Sequence, residues 1–236
     1  MTSLTEVPGE STRSAGPAEA PGCAAPGTVT GSIGSLYDQL DGAHVAVVGL
    51  GRTGRAVVDA LATLGARIHV FDGNEASIEA LDAFTHATMA TSVVSTTVAG
   101  GEATAAALGQ SPARLLIVSP GVPATGPVLR AAEATGIETW SEIELAWRLQ
   151  QDSSRPDVPW LSLTGTDGKT TTVGMLSAIL QAQGLTAPAV GNIGTPVIET
   201  VLAGSADVLA VELSSFQLHT TRTLSPLASA CLNLAA

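Results

Sequence analysis

Aromatic residues are scarce in this chain. Trp, Tyr and Phe together make up 3% of its 236 residues, so any core must be built from Ala, Val, Leu and Ile, which a hydrophobic content of 45% supplies. Basic residues are scarce too, at 10 Lys and Arg against 21 Asp and Glu, for a formal net charge of −11. A chain this acidic repels the phosphate backbone of nucleic acids and anionic membrane surfaces, which excludes both as general partners. Any phosphate it binds must be held by local donors, with or without a metal ion. Cysteine occurs twice, as Cys23 in a Pro/Ala/Gly-rich stretch and Cys231 in a buried-looking run. That is too little for a disulfide framework, and the pair reads as two unrelated reduced thiols. His44, His69, His86 and His219 share no ligand-like spacing, so a zinc centre is not expected. No uninterrupted apolar run reaches the length of about 18 residues that a transmembrane helix needs. The N-terminus also lacks the basic-then-apolar order of a signal peptide. These absences describe a soluble, cytoplasmic, monomeric protein.

The first 33 residues are dominated by Pro, Gly, Ser, Ala and Glu without apolar periodicity. Such a segment cannot bury enough surface to offset its ordering entropy and reads as a disordered tail. From His44 the pattern alternates between apolar runs and helical spacing. "HVAVVG" predicts a buried parallel strand, "GRAVVDALATLGA" a helix stopped by Gly65, and "RIHVFD" a second strand ending at Asp72. "RLLIVSPG" (114–121) predicts a strand, "PVLRAAEATG" (127–136) a helix and "IETW" a short strand. "SEIELAWRLQ" predicts a helix with Ser141 as N-cap and Glu144 completing a capping box. The polar "QDSSRPDVP" (151–159) reads as a linker. A second α/β pattern follows: strand "WLSLTG", helix "KTTTVGMLSAILQAQG", and strands "APAVG", "ADVLAVEL" and "LASACLNL". The expected class is α/β, with a Rossmann-like parallel-sheet domain over 34–150 and a P-loop-type α/β domain over 160–236. The chain stops after a strand-like run with no closing helix, so the second domain is expected to be incomplete.

Two glycine loops carry the chemistry. Gly49-Leu50-Gly51-Arg52-Thr53-Gly54 fits G-x-G-x-x-G between a strand and a helix, and Asp72 closes the next strand 23 residues after Gly49. Backbone N–H groups at a helix start attract an anion, glycine permits its close approach, and an acid at that place bonds a ribose in dinucleotide-binding folds. The bland alternative is a tight strand-to-helix turn with no ligand. The second loop, Gly165-Thr166-Asp167-Gly168-Lys169-Thr170-Thr171, fails the strict phosphate-loop pattern, because Leu163 stands six residues before Lys169. It keeps the parts that do chemistry: glycines, a lysine for phosphate oxygens and a hydroxyl beside it for Mg²⁺. Glu212 closes a predicted strand, where open α/β sheets bind ligands. It could hold Mg²⁺ together with Thr170, or be a surface acid.

These stretches together resemble the Mur ligases, ATP-dependent amide-forming enzymes of peptidoglycan synthesis. The resemblance rests on "GLGRTG" with "FD" behind it, "IVSPGVP" followed by "EIEL", "TGTDGKTTT", and "GNIGTP" followed by "VELSSFQL". It runs from about residue 43 onward and is greatest to the branch that adds D-glutamate to UDP-N-acetylmuramoyl-L-alanine. The resemblance implies that Gly51, Arg52, Thr53, Asp72 and Gly73 line the uracil and ribose pocket, and that Ser119, Pro120 and Gly121 approach the pyrophosphate. Gly165, Thr166, Asp167, Gly168, Lys169, Thr170 and Thr171 would wrap the ATP phosphates. Lys169 and Glu212 would be catalytic, Thr170 and Glu212 would hold Mg²⁺, and Asn192, Ser214 and Gln217 would lie near the muramoyl-alanine end. It implies a carboxylate attacking ATP to give an acyl phosphate, which the D-glutamate amine then opens. Two residues depart from the family pattern: Asp167 stands where Asn is usual, and Gly73 where a hydroxyl residue often follows the acid. The family also continues into a His- and Asp-bearing stretch, a carbamoylated lysine and an amino-acid-binding domain, so the chain is expected to be a fragment without turnover of its own. Two other readings stay open. One is an NAD-dependent oxidoreductase built on "GLGRTG" alone, which leaves the second loop without a role; the other is a non-catalytic nucleotide-binding remnant.

Overall fold

In the computed structural model, which describes residues 35–88 and 92–234, the "HVAVVG" run forms β1 (His44–Val48) after a one-turn helix α1 (Leu36–Leu40). Val45, Ala46 and Val47 are at most 1% exposed, so both faces of the strand are covered, as its unbroken apolarity requires. The chain continues through α2 (Arg52–Thr63), β2 (Arg67–Asp72), α3 (Glu75–Thr88), β3 (Val93–Val98), α4 (Gly101–Gln110) and β4 (Leu115–Val118). It then forms α5 (Pro127–Thr135), β5 (Glu138–Ser141) and α6 (Glu142–Gln151). The five strands are all parallel, in the order β3-β2-β1-β4-β5. The order reverses between β1 and β4, and the crevice at their C-terminal ends is where open α/β sheets bind ligands. The α2 helix buries Val57, Val58 and Leu61 and ends where expected, with Gly65 at φ 79° letting Ala66 N–H reach the Leu61 carbonyl.

The second lobe contains β6 (Trp160–Thr164), α7 (Lys169–Ala182), β7 (Ala189–Gly191), α8 (Val197–Ala203), β8 (Leu209–Glu212), α9 (Ser215–His219) and β9 (Ala228–Cys231). Its four strands are parallel in the order β7-β8-β6-β9. Cys231 is exposed, a correction to the buried run that its neighbours suggest: among the described residues β9 pairs only with β6, and all four of its residues face solvent. The tail expected over residues 1–33, with Cys23, lies outside the described residues.

One hydrophobic cluster runs through both lobes, from Val45 and Leu61 through Ile143 and Leu149 to Trp160, Ile198 and Leu209. The polypeptide between α6 and β6 is pinned by Gln150, whose side chain accepts from the Trp160 indole at 2.7 Å and donates to the Val158 carbonyl at 2.8 Å. The first turn of α6 forms a seam. Ser141 caps it by accepting from Glu144 N–H, but the expected capping box is only half made. Ser141 N–H donates instead to the Thr220 carbonyl. The Glu144 carboxylate turns away and accepts from Arg222 N–H at 2.7 Å, from Thr223 N–H and hydroxyl, and from Arg148. Two residues earlier, Glu142 accepts from Ile198 N–H at 2.7 Å at the start of α8. Its other carboxyl oxygen has no partner among the described residues.

These two acids respond oppositely to their surroundings. Burial raises the Glu142 carboxyl from 4.5 to about 7, against the lowering effect of the Ile198 and Val197 N–H groups. Burial also pushes Glu144 up, but the hydrogen bonds from Thr223, Arg148 and Arg222 outweigh it and hold that carboxyl below its ordinary value. The folded chain therefore keeps a proton on Glu142 that the unfolded chain has lost. The stability this confers is complete below pH 4.5 and fades as pH rises through about 7, by up to about 3 kcal/mol. Glu144 contributes the reverse, a term lost only in acid. Urea unfolding at several pH values should show Glu142→Gln keeping the Ile198 hydrogen bond but losing most of the decline between pH 5 and pH 8. Identical slopes in the two chains would contradict this assignment.

Candidate functional site

The first glycine loop joins β1 to α2, and its three glycines do different work. At Gly54 a Cβ would stand 1.8 Å from the Gly49 carbonyl oxygen, so only glycine lets the helix begin this close to the strand end. At Gly51 an added Cβ meets nothing within 4 Å, so folding does not demand glycine there and the space above it is open to a ligand. The Ser119 hydroxyl donates to the Gly49 carbonyl at 2.7 Å, tying the β4 end to the loop. Asp72 accepts from Leu50 N–H with one carboxyl oxygen and from Asn74 N–H at 2.7 Å with the other, so it braces the loop from the β2 end.

A cavity of about 640 Å³ opens over this loop. Gly51, Arg52, Thr53, Asp72, Gly73, Ser119, Pro120 and Gly121, all singled out from the sequence, line it. So do residues that the sequence reading passes over: Gly100, Gly101 and Thr104 at the start of α4, and Pro123 and Val128 around the start of α5. A glycine pair opening a helix was the available signal for the first of these. The cavity falls within the ~300–1,000 Å³ range of small-molecule sites.

The second glycine loop joins β6 to α7, with Gly168 at φ 78° just before the helix. The Lys169 ammonium folds back on its own loop, donating to the Gly165 carbonyl at 2.6 Å and the Thr166 carbonyl at 3.0 Å. The Thr170 hydroxyl donates to Glu212 at 2.9 Å, and Asn192 donates its side-chain amide to the other oxygen of the same carboxylate at 3.0 Å. Glu212 is 1% exposed at the end of β8, and Asn192 follows β7. Gly191 makes that approach possible: at φ 103°, a Cβ there would fall 2.3 Å from the Glu212 carbonyl. Thr171 lies on the exposed first turn of α7. Ser214 and Gln217 form a reciprocal capping box around α9, which leaves the buried Gln217 amide nitrogen without a partner among the described residues. Asn192, Ser214 and Gln217 thus stand in the second lobe, apart from the residues that line the first-lobe cavity.

The loop geometry separates the last two glycines of the first motif by stability. Gly54→Ala should lose about 1–3 kcal/mol or fail to fold, whereas Gly51→Ala should stay within about 0.5 kcal/mol of the parent in denaturant unfolding. Equal losses at both positions would refute the distinction.

Comparison with known proteins agrees with these features. The family model for the Mur ligase MurD-like N-terminal domain matches residues 43–141, and that for the Mur ligase middle domain matches residues 163–235. The UDP-N-acetylmuramoylalanine–D-glutamate ligase of Frankia casuarinae is 43% identical over 197 residues, 82% of this chain and 39% of the relative. The protein of the same name from Mycolicibacterium vanbaalenii is 46% identical over 195 residues, 82% of this chain and 38% of the relative. The chain therefore spans about two fifths of the length of these curated relatives. Among solved structures, the UDP-N-acetylmuramate:L-alanyl-gamma-D-glutamyl-meso-diaminopimelate ligase from Neisseria meningitides superposes with a TM-score of 0.46 at 18% identity, over 82% of this chain and 61% of that one. On the two family models, which together take in most of its length, the chain belongs to the Mur ligase family, as a MurD-like N-terminal domain followed by middle-domain sequence.

Proposed function

We propose that these residues serve an ATP-dependent, amide-forming ligase that adds D-glutamate to UDP-N-acetylmuramoyl-L-alanine in cytoplasmic peptidoglycan precursor synthesis, acting as a monomer. Residues 34–150 would bind the sugar nucleotide, 151–159 would link, and 160–236 would bind ATP. One observation carries the reading: a buried carboxylate, Glu212, is already hydrogen-bonded to the hydroxyl that follows the loop lysine. A triphosphate with its cation needs this combination of loop amides, an ammonium and hard oxygen donors.

Mg²⁺ fits the donors present, since it prefers oxygen ligands, takes one or two carboxylates and completes its shell with water and phosphate oxygens. Glu212 and Thr170 would hold it, with Asn192 orienting the carboxylate, and when bound it neutralises charge on the phosphates. The first-turn N–H groups of α7 have no intrahelical acceptors and would donate to phosphate oxygens. Lys169 would exchange two neutral carbonyls for the β- and γ-phosphate oxygens, and charge-assisted bonds of that kind are the stronger ones. In the first lobe, Gly51, Arg52, Thr53, Asp72 and Gly73 would surround uracil and ribose, with Ser119, Pro120 and Gly121 at the pyrophosphate. Asn192, Ser214 and Gln217 would meet the muramoyl-alanine end, where the unpartnered Gln217 amide offers a donor. The substrate carboxylate then forms a bond to the γ-phosphorus as the bond to ADP breaks. The D-glutamate amine attacks the resulting acyl phosphate, releasing phosphate and a proton. The chain's part is positioning and charge neutralisation.

Calorimetry on the 236-residue chain tests this. We expect separate binding of UDP-N-acetylmuramoyl-L-alanine and of MgATP. Glu212→Ala should weaken MgATP by about 10–100-fold and leave the sugar nucleotide unaffected. A folded sample that binds neither ligand, or a tight NADH fluorescence response, would overturn the proposal.

A further inference from the structure

Asn233 follows β9 and stands in none of the motifs read from the sequence, yet its side chain is bound to the second glycine loop by three hydrogen bonds. Its carboxamide oxygen accepts from Thr166 N–H at 2.8 Å and Asp167 N–H at 2.9 Å, while its amide nitrogen donates to the Asp167 carbonyl at 3.1 Å. The strand register brings it there. Thr164 pairs with Cys231, and Leu232 N–H donates to the Thr164 carbonyl at 2.9 Å, so Asn233 lies alongside the loop where β6 stops. The loop backbone leaves the extended conformation, with Gly165 at φ 150° and Gly168 at φ 78°, and its amides lose their strand partners. The Asn233 side chain serves as one more sheet rung: an acceptor for two donors and a donor for one acceptor. Among side chains of its length, only a carboxamide offers both functions at neutral pH.

We propose that Asn233 is a positioning residue for triphosphate binding. Its carboxamide sets the curvature of residues 165–168 and takes up the Thr166 and Asp167 amides, so an incoming anion is directed to the first turn of α7. This rests on the reading of 165–171 as the triphosphate loop. It goes beyond that reading by assigning the loop's shape to a residue 66 positions away in sequence from Asp167. Asn233 touches neither phosphate nor metal in this account; it acts through the loop backbone. The side chain is exposed and packs no core, so its removal should leave the fold intact.

The test uses the whole chain and two readouts. Thr166 N–H also reaches the Asn233 main-chain carbonyl at 3.4 Å, so the Asp167 amide is the readout: in the protein without ligand its hydrogen exchange should accelerate at least tenfold in Asn233→Ala, with an unchanged melting temperature. In calorimetry, the same variant should bind MgATP about tenfold more weakly and UDP-N-acetylmuramoyl-L-alanine as the parent does. Asn233→Asp supplies a readout that a merely structural role would not move. An ionised carboxylate cannot donate to the Asp167 carbonyl, whereas a protonated one can. With an ordinary value of about 3.9 that carboxyl stays ionised between about pH 5 and pH 8, so Asn233→Asp should restore slow exchange at the Asp167 amide yet bind MgATP more weakly than the parent, while Asn233→Ala loses both. Unchanged exchange, or equal or tighter MgATP binding by Asn233→Ala, would overturn the assignment. Failure of the parent chain to bind MgATP would remove the triphosphate reading and this proposal together, and is told apart by the parent measurement alone.

Discussion

Glu142 and Glu144 stand two residues apart on the first turn of α6, and each reaches into a different element of the second lobe. One accepts from the amide that opens α8, the other from consecutive amides in the turn after α9. Both are at most 1% exposed. A buried carboxylate is costly unless its lone pairs are met, so each of these bonds admits one seating of its partner element. An apolar seam of similar area would tolerate sliding. We read the pair as a register device between the lobes. The acids serve it by different means. Glu144 is surrounded by donors that hold its carboxyl below its ordinary value, whereas Glu142 has too few and burial raises its carboxyl to about 7.

The acidity of the whole chain and the anion binding proposed for its loops are compatible because they act on different scales. A net charge of −11 is spread over a screened surface, whereas the amides at a helix start act within one turn. The two sites also differ in kind. The first is a wide cavity with few polar atoms, suited to burying a base and sugar. The second concentrates a carboxylate, an ammonium and a hydroxyl around one helix start. Each of those groups is engaged internally, Lys169 with carbonyls and Glu212 with two neutral donors. The charged groups are thereby held near their working places without facing each other unpaired.

The parallel strands with unbroken apolar runs were legible in the sequence, because burial on both faces leaves a continuous signal. The elements that escaped it lack that signal. The β3 strand is an edge strand carrying Ser95, Thr96 and Thr97, and α4 is rich in small residues with little periodicity. Most strands are shorter than their apolar runs; β4 stops at Val118, before Pro120, which has no N–H for a ladder. The residues of the two glycine loops were visible through motif spacing. Asn233 was not, because its role depends on the pairing of β9 with β6, a long-range fact that local pattern cannot carry. The "EIEL" stretch shows the opposite failure: the motif was recognisable, but its role as a seam could be seen only once its partners were in place.

The structure also sorts the two departures from the family pattern. Asp167 places a carboxylate in the loop proposed to hold phosphate, which would suggest repulsion. Yet the loop uses this residue through its backbone, with N–H and carbonyl both bound to Asn233, and the residue is exposed. A solvated side-chain charge there is screened, and the loop's shape does not depend on it. Gly73 is the reverse case. A Cβ at that position would meet only the Ala99 carbonyl and the Gly100 Cα, both at 3.8 Å, and Gly73 is not among the residues with positive φ. Nothing in the fold requires glycine there, so a hydroxyl-bearing side chain would fit against the cavity wall. Under the proposed reading its absence would remove a polar contact from the base and ribose end of the cavity, and recognition there would fall to Asp72, Arg52 and the backbone around them.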